Sequence, residues 1–143
     1  MAGGRSSEGE AGGGMGMKMV AQDPLFSELD QRVLGRFGVE VVEGSGAEGF
    51  VTERSFLYAP FLEQGVLLGE ILKGRDPLLY VGVAPGAMEW WVENRDCTGE
   101  YGDLVEEFGK RRAVTELPGD FEFGGTIFEG LSVCWRSIED EEG

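Results

Sequence analysis

Two short, unbroken apolar runs, Phe56-Leu57-Tyr58-Ala59 and Leu78-Leu79-Tyr80-Val81, flank a helix-length segment from Leu62 to Leu72. Pro60 closes the first run, Gly74 ends the helix and Gly82 ends the second run. Strands joined through a helix lie parallel, and parallel strands buried on both faces read as continuous apolar stretches. The pattern predicts a strand–helix–strand crossover and an α/β fold.

Elsewhere the periodicity changes. From Pro24 to Phe37, Leu25, Leu29, Val33 and Phe37 recur every four residues, widened by Phe26 and Leu34, as on an amphipathic helix. Asp23-Pro24 suits the start, where a carboxylate caps free N–H groups and proline is tolerated; Gly38 suits the end. Met17 to Ala21 and Val39 to Val42 read as strands, Glu43 to Gly49 as a turn-rich loop, and Phe50-Val51 as a strand fragment. Gly65 and Gly69, four apart on the crossover helix, predict close approach of that helix to the sheet. Ala84-Pro85-Gly86 makes a turn before a short helix, Ala87 to Glu93, carrying Trp90-Trp91. Adjacent tryptophans serve core or edge packing more often than an aromatic platform for a partner.

Tyr101 to Arg112 is the most regular helical stretch, with Tyr101, Leu104, Val105 and Phe108 on one stripe. Glu106 and Glu107 precede Lys110 and Arg111 by four, the favourable order. Lys110-Arg111-Arg112 resembles an anion site, but cations belong in a last helical turn on dipole grounds. Thr126 to Phe128 and Leu131 to Trp135 read as further strands.

Composition narrows the chemistry. The 143 residues hold one core, expected over 17–137 between a low-complexity tail, 1–16, and an acidic tail, 138–143. Gly12 to Gly16 lacks both a preceding strand and a Lys-Ser/Thr pair, so it is no phosphate loop. The net charge of −15 disfavours nucleic acid and anionic membrane surfaces as partners. No histidine is present, which removes Ser-His-Asp and Cys-His catalysis and His-ligated zinc from this chain. Cys97 and Cys134 are too few for a cysteine zinc site, so no metal is expected; their count allows a disulfide, but two buried free thiols, as in a cytoplasmic or nuclear protein, are the expectation. No apolar stretch approaches the length of a bilayer span, and the N-terminus lacks the apolar core of a signal peptide.

A Rossmann-like, open, mostly parallel sheet flanked by helices places ligands at the carboxyl ends of its strands. Asp23, Pro60 and Gly82 are then the candidate ligand-binding positions. Asp23 suits ribose hydroxyls, although its role as a helix cap competes, and Pro60 and Gly82 suit strand-to-loop turns. No G-x-G-x-x-G follows a predicted strand, the carboxylates are too scattered to nominate an acid–base pair, and no catalytic residue or cofactor is assigned.

Several of these segments resemble the sensitivity-to-red-light-reduced (SRR-like) family, particularly its fungal members. They are Gln22-Asp23-Pro24-Leu25-Phe26, Val33-Leu34 to Gly38-Val39 with Val41-Val42, Phe56 to Phe61 through Pro60, and Leu78 to Gly82. Phe123-Gly124-Gly125, Gly130-Leu131 and Trp135-Arg136 are similar to the fungal C-terminal end, so the likeness covers roughly Met19 to Arg136. The chain departs from the pattern where many members carry Pro-His-Cys (here Pro60-Phe61-Leu62) and Gly-Asn (here Gly82-Val83). An upstream strand and glycine turn of fuller members are replaced by the low-complexity tail, so the resemblance implies a Rossmann-like domain incomplete at its N-terminus. It also implies a regulatory role, in circadian and light signalling in plants and in haem synthesis or microtubule stability elsewhere, with no established catalytic residue. The expectation is a non-enzymatic regulatory protein with a protein partner and an open oligomeric state. The alternatives are a nucleotide- or S-adenosylmethionine-binding transferase domain and a gene fragment without activity of its own.

Overall fold

The computed structural model describes residues 16–44, 46–120 and 128–137, and the chain divides into two compact units, Met1–Ser45 and Gly46–Gly143. The two expected tails fall outside the described residues except at Gly16, as does the strand expected at Thr126–Phe128 except at Phe128, which opens a turn.

The first unit contains β1 (Met19–Ala21), α1 (Glu28–Arg36) and β2 (Val39–Val41), the two strands pairing parallel with Met19 opposite Val39 and Ala21 opposite Val41. Helix α1 starts four residues later than Asp23-Pro24 implies. Ser27 is its N-cap: Ser27 Oγ accepts from Asp30 N at 3.1 Å and Asp30 Oδ2 accepts from Ser27 N at 2.8 Å. This reciprocal box satisfies two free donors at once. The bond from the Ser27 backbone holds the Asp30 carboxyl below its ordinary value. Asp23 instead closes the preceding turn, its Oδ1 accepting from Leu25 N at 2.8 Å, which corrects its expected cap role. Gly38 takes the left-handed conformation (φ 78°) that ends the helix as expected.

In the second unit a 3₁₀ turn at Ala47–Phe50 replaces the strand fragment, closed by Gly49 N donating to Gly46 O. There follow β3 (Phe56–Ala59), α2 (Gln64–Val66) running into a π turn (Leu67–Ile71), β4 (Leu79–Val83), α3 (Pro85–Asn94), α4 (Thr98–Lys110), β5 (Arg112–Glu116) and β6 (Leu131–Arg136). The sheet order is β3-β4-β6-β5. β3 and β4 run parallel with Phe56 opposite Leu79 and Ala59 opposite Gly82, as the crossover requires. β6 is antiparallel to both its neighbours, β4 and β5. The architecture is mixed α/β, and the expectation of a mostly parallel, Rossmann-like sheet is corrected in this unit to one parallel and two antiparallel pairings. The cause is connectivity: β5 and β6 are joined without an intervening α-helix among the described residues, and an antiparallel pair needs no crossover.

Side chains alternate across the sheet. Leu57, Ala59, Tyr80 and Cys134 point into a core completed by Leu67, Leu68, Leu72, Met88, Val92, Val105 and Phe108 from the helices. Burying such side chains contributes on the order of 1.5–3 kcal/mol each. Gly69 lacks the Cβ that would meet the Tyr101 hydroxyl at 2.9 Å, so the close approach is of the crossover to α4 rather than to the sheet. The opposite sheet face carries Phe56, Tyr58, Leu79, Val81, Val133 and Trp135, none of which belongs to that core. Phe56, Tyr58 and Trp135 are 50%, 55% and 40% exposed.

Candidate functional site

Pro60 follows Ala59, the partner of Gly82, so these two expected positions lie side by side at the carboxyl ends of β3 and β4. Asp23 belongs to the first unit. Gly82 is closely surrounded. A Cβ there would stand 2.6 Å from Tyr80 Cζ and 2.7 Å from Ala59 O, and would run into the Tyr80 hydroxyl. Tyr80 lies over the glycine and donates to Val83 O at 3.1 Å. Burial is the main reason its phenol is pushed well above its ordinary pKa. Across from Gly82, Ser132 is fully buried and its Oγ has no partner among the described residues, nor has Gln64 Oε1 at the first residue of α2. Of the other family-motif positions, Pro60 is half-buried, Phe61 is exposed in the turn after β3, and Trp135 faces outward from β6. Gln22 donates through Nε2 to Gly44 O, Pro24 is exposed in the turn before α1, and Phe26 N closes that turn on Asp23 O at 3.1 Å.

A second constellation forms at the other end of the sheet. Arg112 opens β5 and Arg136 closes β6, and the register sets them directly opposite each other. Like charges in that position repel, so the pair needs an anion between them. Asp76, in the loop before β4, supplies it. Its Oδ1 accepts from Arg112 at 2.6 Å, and its Oδ2 lies 2.7 Å from Arg111 and 3.6 Å from Arg136 Nε. Three guanidiniums therefore share one carboxylate.

Arg112 is the deepest of the three, its side chain 0% exposed. It also donates to Pro77 O at 2.6 Å and Phe108 O at 3.3 Å, and its guanidinium lies 3.8 Å from the centre of the Phe108 ring. That stacking suits a planar, weakly hydrated cation. Desolvation, opposed by Asp76 and reinforced by Arg136 and Arg111, lowers the Arg112 pKa from its ordinary value. Its Nε is buried without a partner among the described residues. Beside the cluster a cavity of about 230 Å³ is lined by Leu72, Arg75, Asp76, Leu104, Phe108 and Arg111, among others.

Sequence reasoning anticipated the basic tripeptide but assigned it wholly to a helix end. Lys110 fits that reading, pairing with Glu106 at 2.7 Å across one helical turn. Arg112 instead starts a strand that no apolar run announces, Ala113-Val114-Thr115-Glu116 being exposed throughout. The signal available was the isolated Arg75-Asp76 before Pro77, a charged pair immediately ahead of a buried strand. Cys134 is buried and Cys97 half-buried, both are free, and no group of metal-ligating side chains forms among the described residues. No helix of the described residues is long and apolar enough to cross a membrane.

No curated protein and no solved structure matches the chain. A family model of the SRR1 domain matches residues 7–115, most of the 143-residue length and all of β1 to β4. The chain belongs to the SRR1 domain family.

Proposed function

We propose that the chain is a non-enzymatic regulatory protein acting in the cytoplasm or nucleus, and that it works by holding a protein partner on the open face of its four-stranded sheet. The carrying observation is the row of Phe56, Tyr58 and Trp135, large apolar side chains left 40–55% exposed on a face that the unit's helices do not cover. Contiguous apolar surface of this kind marks interaction sites. The net charge of −15 favours a partner segment that is apolar at its centre and basic at its flanks. A regulatory role agrees with the SRR-like resemblance and with the missing histidines.

A photo-reactive residue at Tyr58 tests this reading. It should cross-link one partner, and that partner should be lost in a Phe56→Asp variant that melts like the wild type. Cross-linking unchanged by Phe56→Asp would overturn the assignment.

A nucleotide- or S-adenosylmethionine-binding transferase is the second reading, favoured by Ser132 Oγ across from Gly82, buried without a partner among the described residues. Calorimetry decides between them: micromolar binding of either ligand, abolished by Ser132→Ala with the fold intact, would displace the interaction reading.

A further inference from the structure

The cavity between the end of the crossover and α4 carries two opposite charges on its lining that form no ion pair among the described residues. Its volume is about 230 Å³, and Leu72, Leu104 and Phe108 give it apolar walls. That volume lies below the range of drug-sized sites, so the ligand it admits is small. Asp76, on the same lining, is already committed, with Arg111 2.7 Å from its Oδ2 and Arg112 2.6 Å from its Oδ1. Glu107 is not. It stands four residues before Arg111, an order that favours a helical pair, but Arg111 turns to Asp76 instead, and Lys110 pairs with Glu106. Glu107 is left on the cavity lining with no ion pair among the described residues.

Arg75 is the converse. Its Nη1 donates to Glu70 O at 2.8 Å and to Lys73 O at 3.5 Å, which fixes the side chain on neutral carbonyls. Among the described residues no carboxylate stands within ion-pair distance of it. With Nη1 held, the Nε–Nη2 edge of the guanidinium is left for a ligand, and that edge matches a carboxylate through two parallel bonds.

We propose that this cavity binds a free amino acid with an apolar side chain, its carboxylate on Arg75, its ammonium on Glu107 and its side chain against Leu72, Leu104 and Phe108. A lining cation and a lining anion without partners suit a ligand that carries both charges. A simple anion would satisfy only Arg75 and would meet Glu107 as a like charge. The apolar wall is preformed: Arg112 stacks 3.8 Å from the centre of the Phe108 ring, and Tyr80 meets that ring edge-on with centres 5.3 Å apart. A wall already held in place costs less to order when the ligand arrives. The site lies away from the sheet's open face, so this inference does not rest on the partner reading above.

Calorimetry of the full chain against L-phenylalanine and L-leucine tests it, beside the N-acetyl and the amide derivative of each, which lack the ammonium and the carboxylate in turn. At least one of the two amino acids should bind. Its derivatives should each bind roughly tenfold or more weakly, the loss of one charge-assisted contact. Arg75→Gln should weaken the amino acid to a similar degree. Glu107→Gln should also weaken it, yet leave the N-acetyl derivative no weaker than in the wild type, a distinction that general loosening of the fold would not produce. Glu107 is exposed, so Glu107→Gln decides should Arg75→Gln fail to fold. Neither amino acid binding at millimolar concentrations, derivatives that bind as well as their parent, or an affinity unchanged in either folded variant overturns the inference.

Discussion

Asp76→Asn removes one negative charge from the centre of three guanidiniums while keeping the side chain's shape and one acceptor oxygen. The Arg112 side chain is 0% exposed, and its other acceptors, Pro77 O and Phe108 O, are neutral. Breaking a buried pair by deleting one partner costs about 3–5 kcal/mol, because the remaining charge stays desolvated. Asp76 keeps 29% of its side chain exposed and asparagine retains a weaker acceptor, so a loss of about 2–3 kcal/mol is expected. In a domain of this size that lowers Tm by roughly 6–10 °C. Urea denaturation followed by tryptophan fluorescence measures it directly. Arg111→Ala provides the internal contrast, since its half-exposed pair with the same carboxylate is worth under about 1 kcal/mol. Combining Asp76→Ala with Arg112→Met removes the fully buried cation together with its carboxylate and should recover part of the Asp76→Ala loss. The reasoning fails if Asp76→Asn lies within about 0.5 kcal/mol of wild type, or if the double variant is less stable than Asp76→Ala alone.

Two further outcomes follow from the core. Gly82→Ala should destabilise by roughly 3 kcal/mol, because the added methyl meets the immobile Ala59 carbonyl and displaces Tyr80 from its bond to Val83; Tyr80→Phe should relieve it only partly, and a loss under about 1 kcal/mol in Gly82→Ala would refute the packing role. Burial pushes the Cys134 thiol up to about 11 from 9.0, so the folded state keeps its proton where the unfolded state has lost it. The contribution is complete below pH 9 and is lost as pH rises towards 11, by at most roughly 2–3 kcal/mol. Denaturation at pH 8 and pH 10.5 should show that decline, and Cys134→Ala should flatten it. An equal slope in the variant assigns the alkaline loss elsewhere.

The crossover was legible because it is local: a run, a helix and a run, punctuated by Pro60, Gly74 and Gly82, leave the chain one way to connect. Its parallel register followed. The sense of β6 was not legible, since Leu131 to Trp135 contains nothing that distinguishes a parallel from an antiparallel neighbour. β5 escaped notice for a different reason. At the edge of the sheet it buries only Arg112, so its sequence lacks the apolar run that marks a central strand. The start of α1 was misplaced because Asp23-Pro24 and Ser27-Glu28-Leu29-Asp30 are both credible entries, and the reciprocal bonds of the latter prevail. As for the arginine site, Arg112, Arg136 and Asp76 are 24 or more residues apart, and only the sheet register brings them together.

The two ends of the sheet are joined by contacts that explain why both sites constrain the same core. Arg112 stacks on Phe108, Phe108 meets Tyr80 edge-on with ring centres 5.3 Å apart, and Tyr80 lies over Gly82 with its hydroxyl on Val83. This line occupies the helix-covered face. The other face repeats apolar side chains at the alternate positions, and those are what made the two runs read as buried on both sides. In the second unit only one side is covered by the helices, so the same residues that signalled a parallel strand form a half-exposed row of phenylalanine, tyrosine and tryptophan. The partner proposed above would cover a face that the described helices of this unit leave open, and burying these three large side chains there would recover on the order of 1–2 kcal/mol apiece.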